Sequence, residues 1–325
     1  VIKMKIITYT DEYESKWDNF VQNSKNGTFM QQRKFLNYHS KEKFQDCSLM
    51  AFDTKDRIIA VIPAALKFEN ESSIFCSHPG ASHGGIIINQ SFDTAKALTL
   101  IPLLIEHCNG MGVKAIEMKM VPRIYHSWPS DEIDFSLRYF GFTPEITELA
   151  TALPLKNIEN YELYMEKNAI RNKNKAINSG VVVKENNDLA GYWGILESNL
   201  LKRHNSHPTH TYNEILDLRQ RFPEKIKLFS AFYEKKMIAG VLVFILNNRV
   251  LNCFYICHDE NFQQLRPLNL VFSALIQLGV NEGFHFLDWG ISTENKGKAV
   301  NQGLFKFKEG FAGRGVLRET YRLTL

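Results

Sequence analysis

The sequence predicts an α/β protein made of two similarly folded halves, residues 1–156 and 157–325, each a mixed central sheet flanked by helices. Three observations carry this expectation. The chain has 325 residues, enough for one large or two medium domains. It is 44% apolar and 12% aromatic, which supplies a buried core and excludes disorder, fibres and small disulfide-stapled scaffolds. One order of strand and helix patterns also runs through the chain once and restarts near residue 157.

In the first half, residues 3–9 alternate as a short strand, and Tyr13, Trp17, Phe20 and Val21 then share a helical face after the Thr10-Asp11 start. Gly27-Thr28-Phe29 ends that helix, and a shorter helical stretch covers about 31–39. Two β-rich runs, Ser48–Phe52 and Ile58–Ala64, flank the turn Asp53-Thr54-Lys55-Asp56. Gly84–Ile88 reads as the next strand, 93–108 as an apolar helix and Lys114–Met120 as a strand. A helix ending Leu137-Arg138-Tyr139-Phe140-Gly141-Phe142 and a strand to Leu155 complete the half.

The second half opens with a basic helix, then the strand Val181–Lys184 and a helix with Tyr192, Trp193, Leu196 and Leu200 on one face. A helix over 212–221 follows, then the hairpin Leu228–Phe232 with Met237–Leu246, and the strand Arg249–Cys257. The helix after Pro267 has Leu270, Val271, Ala274, Leu275 and Leu278 on one stripe. His285–Trp289, the helix Leu304–Glu309 and the strand Arg318–Leu325 close the chain. Ala-Phe, a charged turn and Ile-Ala recur in both hairpins, and both late helices end in Gly-Phe, at 141–142 and 310–311.

Charge and cysteine content narrow the function classes. Lys and Arg total 39 against 35 Asp and Glu, so the formal charge of +4 is far below that of duplex-DNA-binding domains. The five cysteines, Cys47, Cys76, Cys108, Cys253 and Cys257, are odd in number and scattered, which fits a reducing cytoplasm. Cys253, Cys257 and His258 lack a second CxxC or HxxxH pair, so no metal is expected. Apolar runs such as Ile58–Leu66 fall below the ~18 residues that span a bilayer. Val1-Ile2-Lys3-Met4-Lys5 does not read as a secretory signal, and a soluble, internal protein of unspecified oligomeric state is expected.

Several segments are more specific than the element order. They are Ser77-His78-Pro79-Gly80, Gly84-Gly85, Arg203-His204, Pro208-Thr209-His210-Thr211 with Glu214, and Arg221-Phe222-Pro223. The longest is Gly290-Ile291-Ser292-Thr293-Glu294-Asn295-Lys296-Gly297, continuing through Asn301-Gln302-Gly303-Leu304 to Lys308-Glu309-Gly310-Phe311-Ala312-Gly313-Arg314. The order of elements resembles the GNAT acyltransferase fold, and its duplication resembles the FemAB-type group of tandem GNAT proteins. The motifs resemble a bacterial branch of GNAT-like acetyltransferases found with surface-polysaccharide genes. This resemblance covers nearly the whole chain and departs at Ala312, where the terminal KEGFG-type motif usually has glycine. It implies an enzyme that moves an acyl group from a thioester or aminoacyl ester onto an amine.

Such chemistry needs a neutral amine, donors aimed at the developing oxyanion, and close approach of nitrogen to carbonyl carbon. Lys306 and Lys308 lie two residues apart on one helix, so only one points inward. Lys308 matches the family's FK element, and the resemblance implies that it contacts substrate or steadies the tetrahedral intermediate. Leu137 holds the place corresponding to Lys306 in the first half and cannot donate a proton, which assigns the chemistry to the second half. Glu294 and Asn295, at a strand end, suit proton acceptance or ordering of the turn. His210, with His204 and His207 on the same stretch, suits an acceptor-site base or a polar loop, and the three-residue spacings are not those of a helical zinc pair. Arg203, His204, Ser292 and Asn301 are expected to line the acceptor site, and so are His78, Gly84 and Gly85, where backbone can approach a ligand closely.

The donor is less defined. An acyl-CoA site holds pyrophosphate on a Gly-rich turn at a helix N-terminus, and neither half has one. Arg266, before Pro267, is the suitable cation there, and Arg171 and Lys175, in the basic window with Lys167, Lys173 and Lys184, suit phosphates or a solvated helix face. Acyl-CoA is the expected donor and aminoacyl-tRNA the alternative. The expected function is N-acyl transfer to an amine of a cell-envelope or polysaccharide precursor, such as a nucleotide-linked amino sugar. A ligand- or RNA-binding protein on a decayed transferase fold is the competing reading.

Overall fold

The computed structural model describes residues 3–325 apart from 41 and 159, and only the backbone at Arg203 and His204. The chain forms two compact units. The first comprises Val1–Glu148, Asn295–Gly297 and Leu317–Leu325, and the second Leu149–Glu294 and Lys298–Val316.

The first unit begins with β1 (Met4–Thr8), α1 (Glu14–Gln22) and the single turn α2 (Arg33–Leu36). Trp17 and Val21 are the buried face of α1, and Trp17 Nε1 donates to the Gln31 carbonyl at 2.7 Å. Then come β2 (Gln45–Asp46), β3 (Leu49–Asp53), β4 (Ile58–Ile62), β5 (Ala64–Glu69), β6 (Ser72–Ser77), β7 (Ile87–Ile88), α3 (Thr94–Gly110), β8 (Ala115–Lys119), α4 (Glu132–Tyr139) and β9 (Thr143–Pro154). Pro63 lies between β4 and β5, and its missing N–H marks a break in the ladder. On one side of it the strands run β1-β3-β4-β7. On the other, β2, β5, β6 and β8 are neighbours.

The expected strand Gly84–Ile88 shrinks to the two residues of β7. The strand that follows β5 is instead β6, joined through Asn70 and Glu71, both at positive φ. Lys67, Glu69 and Ser72 give this hairpin a polar face, which hides it from an apolar-run criterion. α3 buries Ala97, Leu100, Ile101, Leu104 and Cys108 in the unit's core, with Ile133 and Leu137 from α4.

The second unit contains α5 (Lys167–Asn178), β10 (Val182–Asn186), α6 (Leu189–His204), α7 (Tyr212–Arg221), β11 (Ile226–Tyr233), β12 (Lys236–Ile245), β13 (Val250–His258), α8 (Pro267–Asn281), β14 (Phe286–Ile291), the short pair β15 (Thr293–Glu294) and β16 (Ala299–Val300), and α9 (Gln302–Glu309). Its sheet runs β10-β11-β12-β13-β14-β9, with Leu149–Pro154 of β9 in this unit. Apolar positions spaced along α5 and α8 pack on one sheet face: Ala169 and Ala176, then Val271, Phe272, Leu275 and Ile276. α6 covers β12 and β13 from its own buried Tyr192, Trp193 and Leu196. The predicted start of α7 is a complete capping box, Thr211 and Glu214 satisfying each other's backbone N–H.

β17 (Arg314–Thr324) closes the chain, and its residues Thr320–Thr324 pair antiparallel with β8 inside the first unit. Ala312, where the resembling motif has glycine, adopts φ +64, a left-handed conformation that costs a non-glycine residue about 1 kcal/mol.

Candidate active site

The second unit has a parallel strand pair that parts. β13 and β14 pair from Val250–Phe286 to Asn252–Asp288, and there the ladder stops. Beyond it β13 stays with β12 and carries a bulge at Leu242/Val243, while β14 shifts register toward β9 and rejoins it at Ile291–Ala150. The strands therefore diverge past Asn252 and Asp288, with Trp289 and Gly290 at the shift. Crevices outside the carboxyl ends of parallel strands are where α/β proteins place their ligands.

The first unit treats the equivalent place differently. β6 and β8 also run parallel, from Ile74–Ala115 to Cys76–Glu117. Past that point the Lys119 N–H donates to Ser77 Oγ at 2.7 Å, and the Gly84 N–H donates to the Lys119 carbonyl at 3.1 Å. A Cβ on Gly84 would stand 3.0 Å from His78 N and Ser77 C. The close backbone approach expected of Gly84-Gly85 thus occurs against strand ends. His78 sits beside it, buried, with Nδ1 accepting from the Gly80 N–H at 3.2 Å.

Four of the expected site residues meet at the end of β14. Lys308 is 2% exposed on the inward face of α9, whereas Lys306 is exposed. Its ammonium donates to the carbonyls of Gly290 and Ile291, each at 2.9 Å, and to Ser292 Oγ at 2.8 Å. Three ammonium protons thus meet three acceptors. The Ser292 carbonyl accepts from the Asn301 N–H at 3.0 Å, and Asn301 caps α9 through Oδ1 to the Leu304 N–H. Asn301 Nδ2 donates to Glu294 Oε1 at 3.2 Å, and Glu294 itself is exposed. Buried cation and exposed carboxylate are therefore joined through Ser292 and Asn301.

Asp288 extends this network and escapes pattern reading. It is fully buried, and its Oδ1 accepts from the Gly290 N–H at 2.7 Å. Gly290 thereby links a carboxylate through its N–H to the Lys308 ammonium through its C=O. The available signal is an aspartate inside the apolar run Phe286-Leu287-Asp288-Trp289, which burial allows only with partners.

His210 belongs to another cluster of the second unit. Its Nδ1 lies 2.9 Å from Tyr255 Oη, to which its backbone N–H also donates at 3.3 Å. Its ring stands edge-on to Phe254 at 5.5 Å. Burial raises the Tyr255 phenol above its ordinary range, against the lowering effect of the His210 N–H, so the hydroxyl keeps its proton at neutral pH. Tyr255→Phe is expected to move the His210 ring nitrogen resonances while shifting the melting temperature by only a few degrees, about the cost of one hydrogen bond. Nitrogen-detected NMR of the histidine rings with a thermal melt checks both.

The remaining expected residues are dispersed. Arg203 and His204 end α6, and their side chains lie outside the described residues. Asn295 belongs to the first unit with Lys296 and Gly297, at φ +50, +56 and +85, and a Cβ on Gly297 would stand 1.9 Å from the Thr147 carbonyl oxygen. Arg266 is exposed at the N-cap of α8, at φ +57. Arg171 and Lys175 lie on the outer face of α5, in a shallow groove with Lys167, Ile170, Asn174, Asn178 and Ser179. Among the described residues no group of three His, Cys, Asp or Glu side chains is placed to hold a metal, and no helix is long and apolar enough to cross a membrane.

Twice-repeated strand and helix order with parallel strands that part is a tandem GNAT-like fold, and the family match makes the chain a transferase of N-acyltransferase type. The FemAB family model matches residues 152–316, and the chain belongs to that family. The solved structure described as FemX is similar over 99% of this chain and 97% of its own, with a TM-score of 0.71 at 12% identity. L-PGS from Bacillus licheniformis matches with a TM-score of 0.60 at 10% identity, covering 94% of this chain and 90% of that one. A tandem GNAT protein from the clavulanic acid biosynthesis pathway gives 0.52 at 10% identity, over 99% and 98%. Such distant likenesses establish the fold. None of the curated proteins matches.

Proposed function

We propose that the chain transfers an acyl group, acetyl or aminoacyl, from an activated donor to an amine of a cell-envelope or polysaccharide precursor such as a nucleotide-linked amino sugar, with the chemistry in the second unit. One observation carries the reading: the parallel strands of the second unit part beside a buried, anchored ammonium, while glycine backbone is hydrogen-bonded across the equivalent place in the first. Extended backbone at the edge of a parted strand suits an extended amide-containing donor arm. The N-terminus of α8, with Arg266, is assigned to the donor's phosphates.

In the proposed reaction the acceptor nitrogen attacks the donor carbonyl carbon. The acceptor ammonium first gives one proton to a base; the carbon–nitrogen bond then forms, the bond to the thioester sulfur or ester oxygen breaks, and the thiol or hydroxyl leaves with the second nitrogen proton. Glu294 and His210 are assigned as proton acceptors. Lys308, held by three acceptors, contributes a fixed positive charge that favours the oxyanion without reorganising.

The test incubates purified chain with a nucleotide-linked amino sugar and either acetyl-CoA or charged tRNA, with and without nuclease. N-acyl product from one donor is expected, and nuclease sensitivity assigns the RNA donor. Glu294→Gln is expected to lower kcat about a hundredfold with stability unchanged, since the carboxylate is exposed. Full rates in both Glu294→Gln and Lys308→Met would overturn the assignment.

A further inference from the structure

We infer that the outer face of α5 docks the protein on an anionic lipid surface. The segment from Lys167 to Asn178 contains Lys167, Arg171, Lys173 and Lys175 and no acidic residue. At 100° per residue, Lys167, Arg171, Asn174, Lys175 and Asn178 share one side of the helix, opposite Ala169 and Ala176 in the core. Lys173 lies off this face and is paired with Glu162. The three outward cations rise by about 6 Å per step along the axis, and Asn174, Asn178 and Ser179 line the same groove.

Exposed apolar side chains just ahead of the helix decide what kind of anion the face suits. Leu163 is 79% exposed and Tyr164 64% exposed in the turn before Lys167. A nucleic-acid backbone uses the cations and leaves Leu163 in water. A bilayer of acidic phospholipid engages both sets, the cations at the headgroups and the leucine and tyrosine in the interfacial layer. The charge complementarity and the exposed anchors point to the same occupant.

Co-sedimentation of the full chain with vesicles tests the inference. Binding is expected to vesicles of equal parts phosphatidylglycerol and phosphatidylcholine, to weaken with added salt, and to be absent with phosphatidylcholine alone. Replacing Lys167, Arg171 and Lys175 by Gln should weaken binding about a hundredfold. Leu163→Ser with Tyr164→Ser should weaken it about tenfold, although net charge is unchanged. All five side chains are exposed, and circular dichroism checks that each variant is folded. Failure to bind anionic vesicles, or binding indifferent to the Leu163 and Tyr164 changes, overturns the inference. Displacement of bound protein from vesicles by a short single-stranded RNA at equal phosphate would also overturn it and reassign the face to nucleic acid.

Discussion

Lowering the pH from neutrality to about 4 is expected to unfold the first unit. Three of its histidines are enclosed as neutral rings: His78, His83 and His126. Burial, reinforced by Arg33 and His39, holds His78 down to about 4. Burial and then Arg123 hold His126 at about 4, and full burial with Arg318 and Lys119 nearby pushes His83 well below the ordinary imidazole range. Because the folded values are depressed, the stability is complete above the unfolded imidazole range and disappears as the pH falls through the folded values. His78 and His126 each remove on the order of 3 kcal/mol by that point, and His83 adds to the loss, against a typical total of about 5–15 kcal/mol. Fluorescence of Trp17, fully buried in this unit, should report the transition between about pH 6 and 4. An unchanged spectrum to about pH 4 would contradict the neutral burial of these rings.

Lys308→Met is the substitution expected to cost most. It removes the donor shared by the Gly290 and Ile291 carbonyls and Ser292 Oγ, in a place only 2% exposed. Hydrogen bonds to a charged group are worth roughly 1.5–3 kcal/mol each, but they share one ammonium whose desolvation offsets part of the gain. A net loss of about 3 kcal/mol follows, read as a lower urea midpoint with unchanged slope. Lys308→Arg should not rescue it, since a planar guanidinium cannot reproduce the compact three-way donor. Catalytic loss in this variant is informative only beside Glu294→Gln, which leaves the β14 anchor in place.

The doubled architecture is legible in the sequence because its evidence is local. Each hairpin carries its own turn and each late helix its own Gly-Phe end, so periodicity and punctuation suffice. The inward orientation of Lys308 over Lys306 follows from their two-residue spacing and the motif around them. The hairpin of β5 and β6 is hidden because half of its positions are polar. Asp288 and Tyr255 are hidden for a different reason: Asp288 bonds Gly290 locally but gains its role through Lys308 on the other side of that glycine, and Tyr255 through a loop histidine that chain reversal brings to it. The hydrogen bonding of Gly84 at the ends of β6 and β8 is likewise non-local, since a glycine reads alike whether it faces a ligand or a neighbouring strand.

The pairing of Thr320–Thr324 with β8 has a consequence for biosynthesis. While the polypeptide is still emerging from the ribosome, the edge of β8 awaits a partner that is translated only after α5 to α9. The first unit therefore completes its sheet only after the second has been synthesised, and until then the unpaired edge of β8 is open to pairing with other chains.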